Sequence, residues 1–332
     1  MNILVSGGGG FIGSHLVDQL LADKHNVTVI DISHENMERN LKNRNNLKVY
    51  CCDINNINKI NDIGEIDQIV HLAALADIVP SIDNPGEYHN TNVNGTLQML
   101  EFARARKVKK IIYAASSSCY GDNPPLPTTE KDPINTKYPY ALTKWLGEEY
   151  CMHWHKVYGL PVISLRLFNV YGPRSRTTGA YGAVFGVFLK QKLEGKPYTI
   201  VGSGSQSRDF IYVSDVVDAI VLALNSNKVG EIYNIGSGTH SSIANLVNLL
   251  GVTNSVTFLP DRPAEPKTTL AWIGKAQEQL RFNPKIHLSR GVKIMIDNIE
   301  SFKDAPLWNK ENIAEATKTW FDTLGSKNAN KL

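Results

Sequence analysis

Tyr140 and Lys144, in "YPYALTKW", stand four residues apart and therefore share one face of a helix. Upstream, "YAASSSCYG" places Ser116, Ser117 and Ser118 at the end of an apolar run. Tyrosine is a poor base at its usual pKa of about 10. An ammonium nearby favours the phenolate and brings it toward the working range. A serine hydroxyl can share the same substrate oxygen and relay its proton. Together these residues can take a proton from a hydroxyl group. A Tyr-x-x-x-Lys pair alone is common by chance; the serine cluster at the strand end before it makes the pattern specific.

The second chemical feature is "SGGGGFIGSH" at Ser6–His15. It reads in two frames, Gly8, Gly10 and Gly13 (G-x-G-x-x-G) or Gly7, Gly10 and Gly13 (G-x-x-G-x-x-G), and the glycines alone do not choose between them. The loop follows the strand pattern "NILVS" and opens the helix pattern "FIGSHLVDQLLA", which suits a pyrophosphate held at the helix N-terminus by Phe11 and Ile12 in its first turn. Asp31, with Ile32 beside it, ends the second strand, where a carboxylate accepts from the ribose hydroxyls of an adenosine and repels a 2′-phosphate. No arginine follows in "DISHEN", so NAD is expected rather than NADP. Asp53 and Ile54 end the third strand and could flank the adenine, although an aspartate there is also an ordinary turn residue.

These residues need a scaffold that brings loop ends together. The runs "NILVSG", "NVTVID", "LKVYCCDI", "QIVHLAA", "KIIYAAS" and "PVISLRLF" alternate with helical patterns at Phe11–Ala22, Asn84–Arg106 and Tyr140–Tyr158. Near-continuous apolar strands alternating with helices predict an α/β fold, a doubly wound parallel Rossmann sheet that binds at the carboxyl ends of its strands. After Asn169 the texture changes to Gly, Pro, Thr and Ser, as in "YGPRSRTTGAYG" and "LPDRPAEPKTT". The expected division is an NAD-binding domain at residues 1–168, with a strand returning near 231–238, and a smaller α+β substrate domain over most of 169–332. The C-terminal "NKENIAEATKTWFDTLG" reads as one amphipathic helix with Ile313, Ala316, Trp320 and Leu324 on its stripe.

The 332 residues are 42 % apolar and 20 % charged, with a net charge of +3, which is ordinary for a globular protein. The densest cationic cluster, "RARKVKK", falls where a helix ends, so it complements that terminus rather than a nucleic acid. No apolar run reaches the length of a membrane span. Cys51, Cys52, Cys119 and Cys151 show neither metal spacing nor a disulfide framework. With no leader pattern at Met1, a reduced cytoplasmic protein is expected, with no metal and no membrane partner.

The sequence resembles the extended short-chain dehydrogenase/reductases, in particular the NAD-dependent nucleotide-sugar epimerases and dehydratases. The resemblance runs from Asn2 to about Asn298 and is carried by GGGGFIG, Asp31, "HLAA" (His71–Ala74), "SSSCYG", "YALTK", "RLFNVYGP", "SRDFIYVSD" and "RPAEP". It implies the frame Gly7, Gly10, Gly13. It implies that Tyr140 removes a sugar hydroxyl proton while NAD takes hydride from the same carbon. Ser116 then shares the sugar oxygen, and Lys144 holds the nicotinamide ribose and lowers the tyrosine pKa. Leu72, Ala73, Ala74, Ala76 and Phe168 would line the cofactor. Arg208 and Arg262 would hold the diphosphate, Glu265 the nucleotide ribose and Asn169 the diphosphate-sugar. Thr269 falls at the pocket wall, where a small residue goes with N-acetylated sugars. Dehydratases and decarboxylases carry acids where this chain has Ser117 and Ser118, so the expected activity is 4-epimerisation of a nucleotide sugar, most simply UDP-linked. A dehydratase, another NAD-dependent sugar-nucleotide enzyme and a non-catalytic NAD-binding protein are the alternatives. Asp77 departs from the pattern, and its plain reading is a solvated loop carboxylate. A homodimer is implied, commonly through the helices near Thr91–Arg106 and Tyr140–Tyr158. Both are rich in apolar positions (Val93, Leu97, Leu100; Trp145, Leu146, Tyr150, Trp154), a pattern that packing against the sheet explains in part equally well.

Overall fold

The computed structural model describes residues 1–42, 45–175, 184–251 and 255–325, so part of the "YGPRSRTTGAYG" stretch lies outside the described residues. All six apolar runs of the first half form strands: β1 (Asn2–Ser6), β2 (Asn26–Asp31), β3 (Leu47–Cys51), β4 (Gln68–His71), β5 (Lys110–Ser116) and β6 (Val162–Leu167). Short strands follow, β7 (Asn169–Tyr171), β8 (Tyr198–Val201), β9 (Ser207–Arg208) and β10 (Phe210–Tyr212). The chain then returns through β11 (Glu231–Ile235) before β12 (Ser241–Ser242) and β13 (Val256–Leu259). The main sheet is seven-stranded, in the order β11-β6-β5-β4-β1-β2-β3. Every pairing in it is parallel, and β11 joins β6 from Glu231↔Ile163 to Ile235↔Leu167. This is the expected Rossmann sheet with its returning strand.

Side chains along each strand alternate between two cores. Ile3 and Val5 meet the helix Phe11–Ala22, whereas Leu4 between them joins the cluster of the helix Gly95–Ala105. Strand order reverses between β1 and β4, so the loops after these strands part and leave a crevice at the carboxyl edge. Two helices from the second half, Val213–Asn225 and Gly274–Leu280, also pack on the first face through residues such as Val216, Ile220, Ala276 and Leu280. The remainder of that half is built on pairs of short strands, β10 with β7, β12 with β9 and β13 with β8.

Two local expectations are corrected. The helix expected over Asn84–Arg106 is Pro85–His89 and Gly95–Ala105 joined by a π turn at Asn90–Asn94. That wider turn carries the buried Asn92 amide onto the 75 backbone, accepting from Leu75 N (2.8 Å) and donating to its carbonyl (3.0 Å). The single C-terminal helix is two, Lys310–Ala316 and Lys318–Leu324, broken at Thr317, whose hydroxyl bonds back to Ile313 O. Of the apolar positions open to either a dimer face or packing within the subunit, Val93 and Leu100 take the second role, as core residues at 3 % and 1 % exposure. The basic cluster is tied locally: Arg104 to Glu101, Arg106 to Gly64 O, Lys109 to Asp67, and Lys110 to Ser226 O.

The helix Pro139–Tyr158 starts at a proline in its first turn, after an extended Tyr138, and stops at Gly159 in the left-handed region (φ 68°). Gly147 in its middle gives up about 1 kcal/mol of helix propensity relative to alanine. The reason is β5 beneath it. A Cβ on Gly147 would lie 2.3 Å from the Tyr113 hydroxyl oxygen, and that hydroxyl donates to Lys144 O (3.1 Å). Tyr113 is fully buried and its ring cannot yield cheaply. We expect Gly147→Ala to destabilise the protein by about 1–3 kcal/mol despite the propensity gain, as overpacked cores do. Urea unfolding checks this, and a more stable variant would contradict it.

Candidate functional site

At the glycine loop, Gly7 adopts φ +72° and its carbonyl accepts from Gly10 N at 3.1 Å. A Cβ on Gly13 would stand 2.1 Å from that same oxygen, and one on Gly7 would stand 2.7 Å from Ala73 N. A Cβ on Gly8 would in turn stand 2.7 Å from the Val29 side chain, so the loop is closed to side chains in both frames, and of the two glycines that differ between them Gly7 is the one with a positive φ. The helix Phe11–Ala22 has no side-chain cap and no acidic residue in its first turn, which leaves Phe11 and Ile12 at an uncompensated positive end. Asp31 accepts from Gly9 N (2.9 Å) and Ser33 N (3.0 Å), with Ile32 72 % exposed beside it. Asp53 caps its own 3-10 turn by accepting from Asn55 N (2.8 Å), the ordinary role noted for it, while Ile54 is in the core against Gly95. Only the backbone of Ile54 is left for a ligand. A cradle closed to side chains, a bare helix N-terminus and a carboxylate at the end of β2 together fit NAD.

Across the crevice, Leu72, Ala73 and Ala74 are half-buried and Ala76 is exposed. A polar chain that the sequence reading missed fixes this loop. Ala73 N donates to Ser6 Oγ (3.5 Å), Ser6 Oγ pairs with His71 Nδ1 (2.7 Å), and His71 Nε2 pairs with Thr96 Oγ1 (3.0 Å). Burial, with a smaller push from Lys144, lowers His71 to about 3, so it is neutral at ordinary pH. Asn92 extends the chain by donating to Thr143 Oγ1 (3.0 Å), which in turn donates to Tyr140 O. The signal lay in "QIVHLAA", where one histidine interrupts an apolar strand.

Ser116, the last residue of β5, accepts from Ser118 N (3.2 Å) and from Ser118 Oγ (2.8 Å). Both lone pairs are thus engaged, and its proton is left to donate. Its hydroxyl also favours the Tyr140 phenolate, pulling that pKa down. Burial nevertheless raises Tyr140 overall, and Asp77 raises it further. This differs from the expected lowering by Lys144. The Lys144 ammonium sits 4.4 Å over the Tyr113 ring and is itself lowered to about 8 by burial. Asp77, partly exposed at the start of the helix Ile78–Asp83, lies close enough for its charge to act on Tyr140.

Two cavities meet beyond Tyr140. The smaller, about 170 Å³, is lined by Ser116, Tyr140, Phe168, Asn169, Arg208 and Thr269. The larger, about 230 Å³, shares Asn169 and Arg208 and adds Phe185, Phe188, Arg262 and Glu265. Arg208 donates to Glu265 Oε1 at 2.6 Å, and Asn169 Nδ2 donates to Thr269 Oγ1 at 2.9 Å. All six expected substrate residues therefore line one or both of these neighbouring cavities.

Asp209, next to Arg208 and passed over in the sequence, is 0 % exposed. Its Oδ1 accepts from Ser237 N (2.6 Å) and Ser237 Oγ (2.7 Å), and its Oδ2 from Gly238 N (3.2 Å) and Ala271 N (3.0 Å). Its own N–H donates to Thr269 Oγ1 (3.0 Å), and its carbonyl accepts from Asn169 N.

Fold and site define a Rossmann enzyme that acts on a nucleotide-bound substrate. Residues 3–236 match the model of the NAD dependent epimerase/dehydratase family, and the chain belongs to that family. A putative UDP-glucose 4-epimerase of Methanocaldococcus jannaschii is 35 % identical over 305 residues, covering 89 % of this chain and 97 % of that protein. The crystal structure of the Thermotoga maritima UDP-glucose 4-epimerase with UDP-glucose superposes with a TM-score of 0.86 at 33 % identity, over 90 % of this chain and 99 % of that one. The UDP-N-acetylglucosamine 4-epimerase of Methanobrevibacter ruminantium M1, in complex with UDP-N-acetylmuramic acid, gives 0.84 at 33 % identity, over 90 % and 98 %. Among the described residues no group of three or more metal-ligating side chains forms, and no helix is long and apolar enough to cross a membrane.

Burial pushes the Asp209 carboxyl above the usual aspartate range, against the lowering effect of its donors. A carboxyl raised by folding contributes stability that is full below the unfolded pKa of about 3.9 and is lost as pH rises through the folded value. Asp209→Asn would turn an NH2 group against two of the four donors whichever way the amide is placed. We expect it to lose about 2–3 kcal/mol in urea unfolding at pH 7, the scale of hydrogen bonds to a charged group. The decline in stability above the aspartate range should also shrink. An unchanged unfolding midpoint would contradict both expectations.

Proposed function

We propose that this protein is an NAD-dependent 4-epimerase of UDP-linked hexoses, interconverting UDP-glucose with UDP-galactose and UDP-N-acetylglucosamine with UDP-N-acetylgalactosamine through a transient 4-keto sugar. One observation carries the choice of reaction. Among the described residues that line the smaller cavity, none is an aspartate, glutamate or histidine. Eliminating a sugar hydroxyl needs an acid for the departing oxygen and a base for the neighbouring proton, and Ser117 and Ser118 can supply neither. Epimerisation needs only one proton removed and returned.

In this reading Tyr140 takes the proton of the sugar hydroxyl. Ser116, held as a donor by Ser118, keeps a hydrogen bond on the same oxygen. NAD supplies the hydride acceptor and donor when bound. Lys144 reaches the nicotinamide ribose from the helix that carries Tyr140. The loop at Gly7–Gly13, with Phe11 and Ile12, takes the pyrophosphate. Asp31 and Ile32 take the adenosine, flanked by the backbone at Asp53 and Ile54, while Leu72, Ala73, Ala74, Ala76 and Phe168 form the nicotinamide walls. Arg208 and Arg262 hold the substrate diphosphate where the two cavities join, since guanidinium forks match phosphate oxygens. Glu265 accepts from the nucleotide ribose, and Asn169 steadies the sugar. With the diphosphate fixed, the sugar turns over within its cavity, and Thr269 on the wall leaves room for an N-acetyl group.

Residues 1–168 are then the cofactor half and residues 169–332 mainly the substrate half. The assembly we infer is a homodimer through the outer side of the helix Pro139–Tyr158. There Tyr150, Trp154 and Tyr158 contact in series at 5.5 and 5.3 Å, Arg104 lies 5.0 Å over Tyr158, and Leu142 and Val157 are 40 % and 52 % exposed. The four free cysteines suit a reducing cytoplasm.

The test is a proton-NMR time course of purified protein, without added cofactor, on UDP-glucose, UDP-N-acetylglucosamine and UDP-glucuronic acid separately. Conversion to the galacto epimers of the first two, with no keto sugar accumulating, is expected. Tyr140→Phe should lower kcat by about 10²–10⁴-fold, as loss of a general base does. A keto or dehydrated product would overturn the assignment of reaction, and turnover of the glucuronate alone would overturn that of substrate.

A further inference from the structure

The expected resemblance ends near Asn298. The helices Lys310–Ala316 and Lys318–Leu324 nevertheless reach the site. Ile313, 5 % exposed, lines the larger cavity beside Arg262 and Glu265. Trp320 is 0 % exposed, and its Nε1–H donates to Pro263 O at 2.7 Å. The Arg262 guanidinium lies 5.5 Å over its ring. The same indole packs against Ile78 and Val79 of the helix Ile78–Asp83, with Tyr138, Tyr140 and Leu324 around the cluster. The Thr317 break is what separates the two tasks, because a continuous helix would place Ile313 and Trp320 on one stripe.

We propose that this C-terminal helix pair is a strap that completes the nucleotide-sugar site, with Trp320 as a positioning residue that sets Arg262 for the substrate diphosphate. The proposal rests on the functional reading above. An arginine side chain loses much rotamer freedom when it grips a phosphate. Trp320 removes part of that freedom in advance by offering a flat face to the guanidinium and by pinning the Pro263 carbonyl next to it. It also joins the 262–263 loop of the substrate half to the Ile78–Asp83 helix of the cofactor half, so the site is held from both sides by one side chain. Ile313 supplies apolar wall for the nucleotide.

The test is binding of UDP to the full-length, NAD-loaded protein by calorimetry, together with KM and kcat on the UDP-sugar that turns over, for wild type, Trp320→Ala, Trp320→Phe and Ile313→Ala. Trp320→Ala should weaken UDP binding and raise KM by about tenfold or more, equivalent to about 1.4 kcal/mol. Its kcat should fall by a smaller factor and its NAD content should stay at the wild-type level. Trp320→Phe keeps a ring but loses the Nε1–H, and should lie between. A folded Trp320→Ala that binds UDP like wild type, or that loses kcat with KM unchanged, overturns the strap alone. If Trp320→Ala does not fold, wild-type UDP affinity in both milder variants overturns it. A wild type that neither binds UDP nor epimerises a UDP-sugar overturns the functional reading and the strap with it.

Discussion

A single fully buried carboxylate, Asp209, ties together the segments of the substrate side. A buried charge is tolerated only where hydrogen bonds replace its hydration, and Asp209 obtains four donors from two separate segments, 237–238 and 271. Those segments follow β11 of the main sheet and the loop that carries Glu265 and Thr269. Arg208 and Asn169 are therefore placed relative to Thr269 by one electrostatic requirement. Two of the small two-stranded sheets around them share a separate apolar cluster through Tyr171, Tyr198, Ile200, Phe210 and Tyr212.

The cofactor side solves the same problem with neutral groups. Ser6, His71, Thr96, Asn92 and Thr143 link the ends of β1 and β4 to the helix that carries Tyr140. His71 works as a connector because burial keeps it uncharged. Behind the Ser116 turn, Arg166 and Glu148 pair at 2.5 Å with Tyr120 and Ser164 attached to them. Breaking one partner of such a pair typically costs about 3–5 kcal/mol. The carboxyl edge of the sheet is thus tied by hydrogen bonds where the chemistry needs fixed distances, beside the crevice between β1 and β4 and the two cavities.

The electrostatics around Tyr140 connect this bonding to reactivity. Burial and Asp77 hold the phenol in its protonated form, while Ser116 pulls the other way. Positive charge brought to this site would shift that balance toward the phenolate, which suits a residue that must take a proton and later return it.

The order of the strands in the sheet came from the structure, but the sequence by itself determined the parallel sheet, the six strands of its first half and the loop-then-helix setting of the glycines. It also offered Tyr140, Lys144 and the Ser116–Ser118 cluster as candidates. These are written in local patterns: continuous apolar runs, a glycine spacing and a four-residue helical step. The substrate residues Arg208, Arg262, Glu265 and Thr269 came only through resemblance, since single arginines and glutamates carry no spacing of their own. Tertiary structure alone decided the rest. Asp209, His71 and Asn92 matter through partners far away in the chain, Gly147 through the ring beneath it, and the Thr317 break through two different surfaces that its helices must reach. Val93 and Leu100 belong to the core for the same reason. Helical periodicity shows that a face is apolar, but what covers that face depends on how the whole chain packs.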